Sequence, residues 1–296
     1  MRRALDGVLL LDKPTGIGSN ALLQAVKRLY GAAKAGHAGT LDPLASGLLL
    51  VLFGEATKFS GFALDADKEY VARARLGITT STADADGEVL ERRPCTARRE
   101  DVEAVLARFR GELDQVPPMY SALKHAGQPL YAYARAGREI ARAPRRVRVH
   151  ELVLEAFTGD TLELRVRCSK GTYIRTLVED IGRALGCGAH LAALRRTRSG
   201  SFRVEEAATL DELQREGTEA REARLLPLER LLAGLPRVDL PAPEAMRFAQ
   251  GQALRMEHAP SGHCSVFGLQ GRLLGLGEGG VAGELRPRRL VSHLSG

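Results

Sequence analysis

The segment from Gly36 to Gly54 reads Gly-His-Ala-Gly-Thr-Leu-Asp-Pro-Leu-Ala-Ser-Gly-Leu-Leu-Leu-Val-Leu-Phe-Gly, and its two halves make opposite demands on the fold. Glycines at 36, 39 and 47 and a proline at 43 supply permissive φ values and stop any helix, so the first half is predicted to be a loop. Leu48 to Phe53 is an uninterrupted apolar run between Gly47 and Gly54. Such a run reads as a strand buried on both faces. A polar loop carrying His37, Thr40, Asp42 and Ser46 is therefore tied directly to the core, a common way of presenting reactive groups on a rigid support. Taken alone, Asp42-Pro43 reads as a turn.

The chain of 296 residues, 44% of them hydrophobic, can bury a large core, and its length favours one large domain plus a small one. It has no apolar run of the roughly 18 residues a membrane span needs, nor a signal-peptide stretch at the amino terminus. The expectation is a soluble cytoplasmic protein without a membrane partner. Cys95, Cys168, Cys187 and Cys264 are widely separated and form no C-x-x-C pair, so neither a zinc site nor a disulfide framework is expected. A net charge of +7 points to a polyanionic partner. Arginine supplies 36 of the 43 basic residues, which suits phosphate contact but also fits a compositional bias of the source genome.

Gly7 to Asp12 is predicted to be a short strand ending in Lys13-Pro14, and Gly16-Ile17-Gly18 turns the chain into a helix with Ser19 as its N-cap. Leu22, Leu23, Val26, Leu29 and Tyr30 form that helix's apolar face. A second short helix starts at Gly54. Glu69 to Leu76 alternates as a half-buried strand, with Tyr70 near its start. Thr79 to Gly87 carries no apolar side chain larger than alanine and is expected to be a surface loop; its Asp-Ala-Asp-Gly lacks the later glutamate of a calcium loop. A helix over Arg98 to Phe109 follows. Arg145 to Ala156 and Leu162 to Cys168 are predicted strands, and Ile174 to Leu185 a helix closed by Gly186. Thr218 to Arg237 reads as a linker. Beyond it come a helix over Glu244 to Gln250 and three short strands, Ser265 to Leu269, Leu273 to Gly277 and Leu285 to Leu290.

Six strings share one resemblance. Gly36, His37, Gly39, Thr40, Leu41, Asp42, Pro43, Ala45 and Gly47 match the aspartate loop of the TruB-type tRNA pseudouridine synthases. The D-K-P-x-G string at Asp12 to Gly16, K-x-Y-x-x-x-x-x-L-G at Lys68 to Gly77, P-P-x-Y-S-A-x-K from Pro117, and K-G-T-Y-I-R with L-R-R-T from Lys170 and Leu194 match the other motifs in family order. The resemblance implies an α+β fold: a mixed, largely antiparallel central sheet with flanking helices, plus a small C-terminal PUA-like β-barrel. It places the catalytic domain over 1–232 and the RNA-binding barrel over 237–296.

The implied activity is isomerisation of uridine 55 in the T-loop of tRNA to pseudouridine, by base flipping and a glycosidic rearrangement that depends on Asp42. Arg175 is then its counter-charge, Tyr70 stacks on the uracil, Tyr173 and Leu194 shape the pocket, His37 enters the vacated base stack, and Lys13 supports the floor. The cluster Arg135, Arg138, Arg142, Arg145, Arg146 and Arg148, adjoining Tyr120, Tyr131 and Tyr133, has the aromatic-plus-basic make-up of an RNA groove. No metal or cofactor is expected, and a monomer acting on the tRNA T-arm without an obligate protein partner is implied. Two other readings are a guide-RNA-type ribosomal RNA synthase and a tRNA-folding chaperone with incidental catalysis.

Overall fold

The structure is a computed structural model and describes residues 3–280 and 283–292. Its strands, in chain order, are β1 (Gly7–Lys13), β2 (Ala35–Ala38), β3 (Ala45–Phe53), β4 (Lys68–Leu76), β5 (Ile78–Thr80), β6 (Val89–Arg92), β7 (Gly111–Gln115), β8 (Lys124–His125), β9 (Gln128–Pro129), β10 (Arg145–Phe157), β11 (Thr161–Cys168), β12 (Ala189–Ser199) and β13 (Phe202–Arg203). Nine of these build one sheet in the order β1-β3-β12-β4-β11-β10-β7, with β2 on β3 and β13 on β12. All of its pairings are antiparallel except β3 with β12. This is the mixed, largely antiparallel sheet that the resemblance implies.

β3 is buried on both faces: Leu48 to Phe53 are each at most 1% exposed. They divide between two cores, Leu48, Leu50 and Leu52 on one face and Leu49, Val51 and Phe53 on the other. Each fully buried leucine contributes about 1.5–3 kcal/mol, so the run alone makes β3 a strand with a core on each face. The helix Ser19–Leu29 covers the second face with Leu22, Leu23 and Val26. The helix Ile174–Ala184 packs Leu177, Val178 and Ile181 on the third core, under β4, β10 and β11.

Four expectations need correction. Gly36 to Ala38 is not loop but the edge strand β2, because it can pair with β3 (His37 opposite Val51) and so satisfy its backbone groups; the loop is only Gly39 to Leu44. The N-cap of the first helix is Gly18, and Ser19 lies inside the helix. The stretch 79–87 is not purely surface: Thr80 and Asp84 are buried, with Asp84 bridged to Leu191. Finally, 218–237 is not a bare linker. It holds a helix (Thr218–Ala223) and a 3-10 turn (Leu228–Leu232), and Leu231 and Leu232 are buried because their apolar spacing fits between two sheets.

The second sheet comprises β14 (Arg237–Asp239), β15 (Leu254–Arg255), β16 (Gly262–Phe267), β17 (Leu273–Gly279) and β18 (Glu284–Leu290), ordered β14-β16-β17-β18-β15. The helix Ala242–Ala249 seals its core with Phe248, which is 0% exposed. Phe267, Leu273 and Leu276 face away from that core, into one cluster with Leu10, Leu50 and Leu232. The four cysteines are free thiols. Among the described residues no helix is long and apolar enough to cross a membrane.

Candidate active site

The loop Gly39 to Leu44 is held from several sides. Ser19 Oγ both donates to the Leu41 carbonyl and accepts from the Leu41 amide, each at 2.8 Å, which gives this serine a task a capping residue could not perform. Gly16 N donates to Pro43 O at 2.8 Å, and Ala45 N to Asp42 O at 3.1 Å. Lys13, 0% exposed, donates to Pro14 O and Ile17 O at 2.8 and 2.7 Å and reaches Pro43 O at 3.5 Å. Burial pulls its pKa down to about 8, although Asp42 acts in the opposite direction. Lys13 thus fastens the D-K-P turn to the aspartate loop and does not line the cavity described below.

Arg196, the second arginine of L-R-R-T, is 1% exposed and donates to Leu48 O at 2.7 Å and Gly39 O at 3.0 Å. It also explains Gly47. There φ is +98°, and a Cβ would lie 2.3 Å from the Arg196 carbonyl oxygen where β3 and β12 run side by side. Only glycine fits that approach.

Asp42 projects from this loop into a cavity of about 370 Å³ lined by Leu41, Lys68, Tyr70, Ser121, Tyr173, Arg175, Leu194 and Arg196, among others. Its Oδ2 lies 3.0 Å from Arg175 Nε, and Asp84 Oδ2 lies 3.6 Å from the same nitrogen. Arg175 stands in the first turn of the helix Ile174–Ala184 and is 4% exposed. Its other donors reach Thr82 O at 3.2 Å and Tyr120 O at 2.6 Å, so the guanidinium cannot swing away from the carboxylates. Surrounding protein lifts the Asp42 pKa above the ordinary aspartate value, Asp84 lifts it further, and Arg175 and Lys13 pull it back. The Asp42 side chain keeps 41% exposure, so the burial penalty is softened by the open cavity mouth.

Tyr70 is buried in the middle of the sheet, between β11 and β12, with its hydroxyl pKa raised by burial and opposed by Arg196. Tyr173 is half-buried. Its backbone is clamped by Gln115, whose Oε1 accepts from Tyr173 N at 2.7 Å and whose Nε2 donates to Tyr173 O at 3.0 Å. Lys68 closes the cavity rim and spends its ammonium on Ala63, Leu64 and Ala66 carbonyls at 3.1, 2.5 and 2.6 Å; burial draws its pKa to about 8.

Asp42, Tyr70, Tyr173, Arg175 and Leu194 therefore meet in one cavity. His37 sits outside it on β2, half-buried, with Nδ1 lacking a hydrogen-bond partner and its pKa lowered by burial. Of the arginine cluster, Arg135 and Arg138 stand over the rings of Tyr131 and Tyr133 at 5.5 and 5.4 Å. Arg142 is half-buried beside Glu139, and Arg146 lies between Asp114 and Glu112 at 3.4 Å from each. Arg145 opens β10, exposed; burial raises the Tyr173 pKa, and Ser121 and Arg145 oppose that rise. Asp84 and Arg196 escaped the sequence reading, although both lie within motifs. The Asp-Ala-Asp-Gly string was legible only as a turn, and L-R-R-T only through its leucine. Among the described residues no group of three His, Cys, Asp or Glu could hold a metal ion.

A chain in the solved structure described as "Crystal Structure of a Cbf5-Nop10-Gar1 Complex" superposes with a TM-score of 0.74 at 29% identity, over 95% of this chain and 80% of that one. A chain of the "archaeal box H/ACA sRNP Nop10-Cbf5 complex" gives 0.74 at 27%, over 97% and 86%. The sheet is that of a pseudouridine synthase, an isomerase. Residues 27–174 match the "TruB family pseudouridylate synthase (N terminal domain)", 175–233 the "tRNA pseudouridylate synthase B C-terminal domain", and 236–291 "Pseudouridine synthase II TruB, C-terminal". The chain belongs to the TruB family. It is 56% identical to the tRNA pseudouridine synthase B of Azoarcus sp. (strain BH72), over all of this chain and 98% of that protein, and 52% identical to that of Ectopseudomonas mendocina (strain ymp), over 98% and 97%.

Proposed function

We propose that this enzyme converts uridine 55 in the T-loop of tRNA to pseudouridine, with Asp42 as the group that reacts with the substrate nucleotide. The observation carrying this reading is the Asp42 carboxylate, 3.0 Å from a buried arginine anchored to two backbone carbonyls, in a cavity walled by two tyrosines and a leucine. The substrate follows from relatives named for tRNA at 52–56% identity over nearly their whole length.

The chemistry is an isomerisation. The N1–C1′ bond breaks, the uracil turns, a C5–C1′ bond forms, and the C5 proton leaves while N1 gains one, so no electrons or groups enter and no cofactor is required. A carboxylate is a competent nucleophile without a base because its ordinary pKa lies far below 7, and Arg175 keeps the anion ionised and aimed. A base stacked in a folded T-loop must be flipped out first, at a cost of a few kcal/mol. We assign His37 to the RNA side of this step, since a neutral imidazole can fill an apolar gap without a charge penalty. Residues 1–232 form the catalytic unit in this reading and 237–296 a second RNA-holding surface, and the enzyme acts as a monomer on the T-arm.

Incubation with an unmodified tRNA transcript, followed by mapping of pseudouridine, tests the reading. Product at position 55 is expected from the parental enzyme, and none from Asp42→Asn, whose tRNA affinity should be kept. Product at another position, or a parental rate in Asp42→Asn, would refute it.

A further inference from the structure

Ser121 lies in the segment between β7 and β8, and its backbone is fixed from both sides. Its amide donates to Met119 O at 2.9 Å, its carbonyl accepts from Tyr131 N at 3.1 Å, and the carbonyl of the preceding residue, Tyr120, holds Arg175. The side chain is 5% exposed and lines the cavity. Yet Oγ makes no well-formed hydrogen bond; its polar neighbour is the Tyr173 hydroxyl, whose burial-raised pKa it pulls back. Of the four buried side-chain atoms so placed among the described residues, it is the one that belongs to a residue of the Asp42 cavity. A buried hydroxyl left unpaired is costly, and such a group in a native structure calls for an explanation.

The charged side chains beside it are largely engaged with the protein. Each nitrogen of the Arg175 guanidinium faces a protein oxygen, Lys68 gives its ammonium to backbone carbonyls, and Asp42 accepts. Resting on the proposed function, we infer that Ser121 Oγ donates a hydrogen bond to a carbonyl of the target uracil and holds the base through its rotation. The geometry of the base suits this. Turning uracil about its N3···C6 axis exchanges O2 with O4, so one donor beside that edge meets an acceptor before and after the turn.

The test combines variants with altered target bases in a single-turnover assay. Ser121→Ala should slow the reaction on the order of tenfold, the worth of one neutral hydrogen bond. Its tRNA affinity and melting temperature should hold, because the atom removed makes no hydrogen bond of good geometry within the protein. Ser121→Thr, which retains the hydroxyl, should recover most of the rate. tRNA carrying 2-thiouridine or 4-thiouridine at the target, with its weaker acceptor, should slow the parental enzyme, and at least one of these penalties should vanish in Ser121→Ala. A 2′-deoxyuridine target should show the same penalty in both enzymes. A parental rate in Ser121→Ala, undiminished penalties for both thio bases, or coupling to the 2′-hydroxyl would overturn the inference. Absence of pseudouridine from the parental enzyme would overturn the tRNA reading along with it.

Discussion

Replacing Asp84 by asparagine keeps the volume of a side chain 5% exposed while removing one of two carboxylates that face Arg175 Nε. Asp84 is one of the causes that lift the Asp42 pKa, so its neutralisation should lower that pKa. Two unit charges roughly 6 Å apart interact by about 3 kcal/mol at an effective dielectric of 20. Asp42 remains 41% exposed to the cavity. An effective dielectric two to four times higher is then appropriate, which leaves about 0.7–1.4 kcal/mol, or half to one pKa unit. In the proposed mechanism the reaction requires the ionised carboxylate, so the rate should fall as pH drops through the Asp42 pKa. In Asp84→Asn this acid limb should move to lower pH by that half to one unit. The plateau should fall on the order of tenfold, since the guanidinium keeps its Thr82 and Tyr120 anchors but loses part of its orientation. Single-turnover rates between about pH 4 and 8 at saturating tRNA measure both quantities. An acid limb that stays in place, or moves upward, would refute the electrostatic coupling of the two carboxylates.

Gly47→Ala forces a Cβ to within 2.3 Å of the Arg196 carbonyl oxygen at a φ of +98°; it should lose more than about 3 kcal/mol in denaturant unfolding, and near-parental stability would disprove the close approach. Lys68 titrates near 8 when folded and 10.5 when unfolded, so the unfolded chain binds more protons between those values. The stability difference between the parent and Lys68→Met should therefore shift in the parent's favour as pH rises from 8 to 10.5, and a flat difference would contradict the burial of the ammonium. Arg145, exposed beside Tyr173, should act as a phosphate contact, and Arg145→Ala should cut the log–log salt slope of tRNA binding by roughly 0.7–0.9. Arg146 is already neutralised by Asp114 and Glu112; Arg146→Ala should change the slope by less, and equal effects would refute this ranking.

Patterns with a single physical cause were readable in the sequence. The six-residue apolar run could only be a doubly buried strand, and the alternation of Tyr70, Ala72, Ala74 and Leu76 matches side chains no more than 9% exposed. Features that depend on a distant partner were not readable. Gly36 to Ala38 is a strand only because β3 offers a free edge, and Ser19 leaves its capping role only because Leu41 lies within reach. Asp84 looks solvated within its polar neighbours, and its burial follows from a bridge to Leu191, more than a hundred residues later. The leucines of 228–232 read as a linker until a second sheet supplies the surface they cover.

β12 enters the sheet between β3 and β4, two strands that are made early and close together in the chain. Until it arrives, neither Leu48 O nor Gly39 O has Arg196, the cavity lacks Leu194, and Ala45 to Gly47 of β3 and one edge of β4 lack their partner strand. A chain growing at about 5–20 residues per second needs roughly 10–40 s to reach that strand. The aspartate loop is therefore synthesised long before it can be given its working shape, and the nascent protein stays inactive toward RNA while most of its length is already outside the ribosome. Closure of a pairing 148 residues apart is also an event of high contact order, which makes insertion of β12 the step expected to set the folding rate.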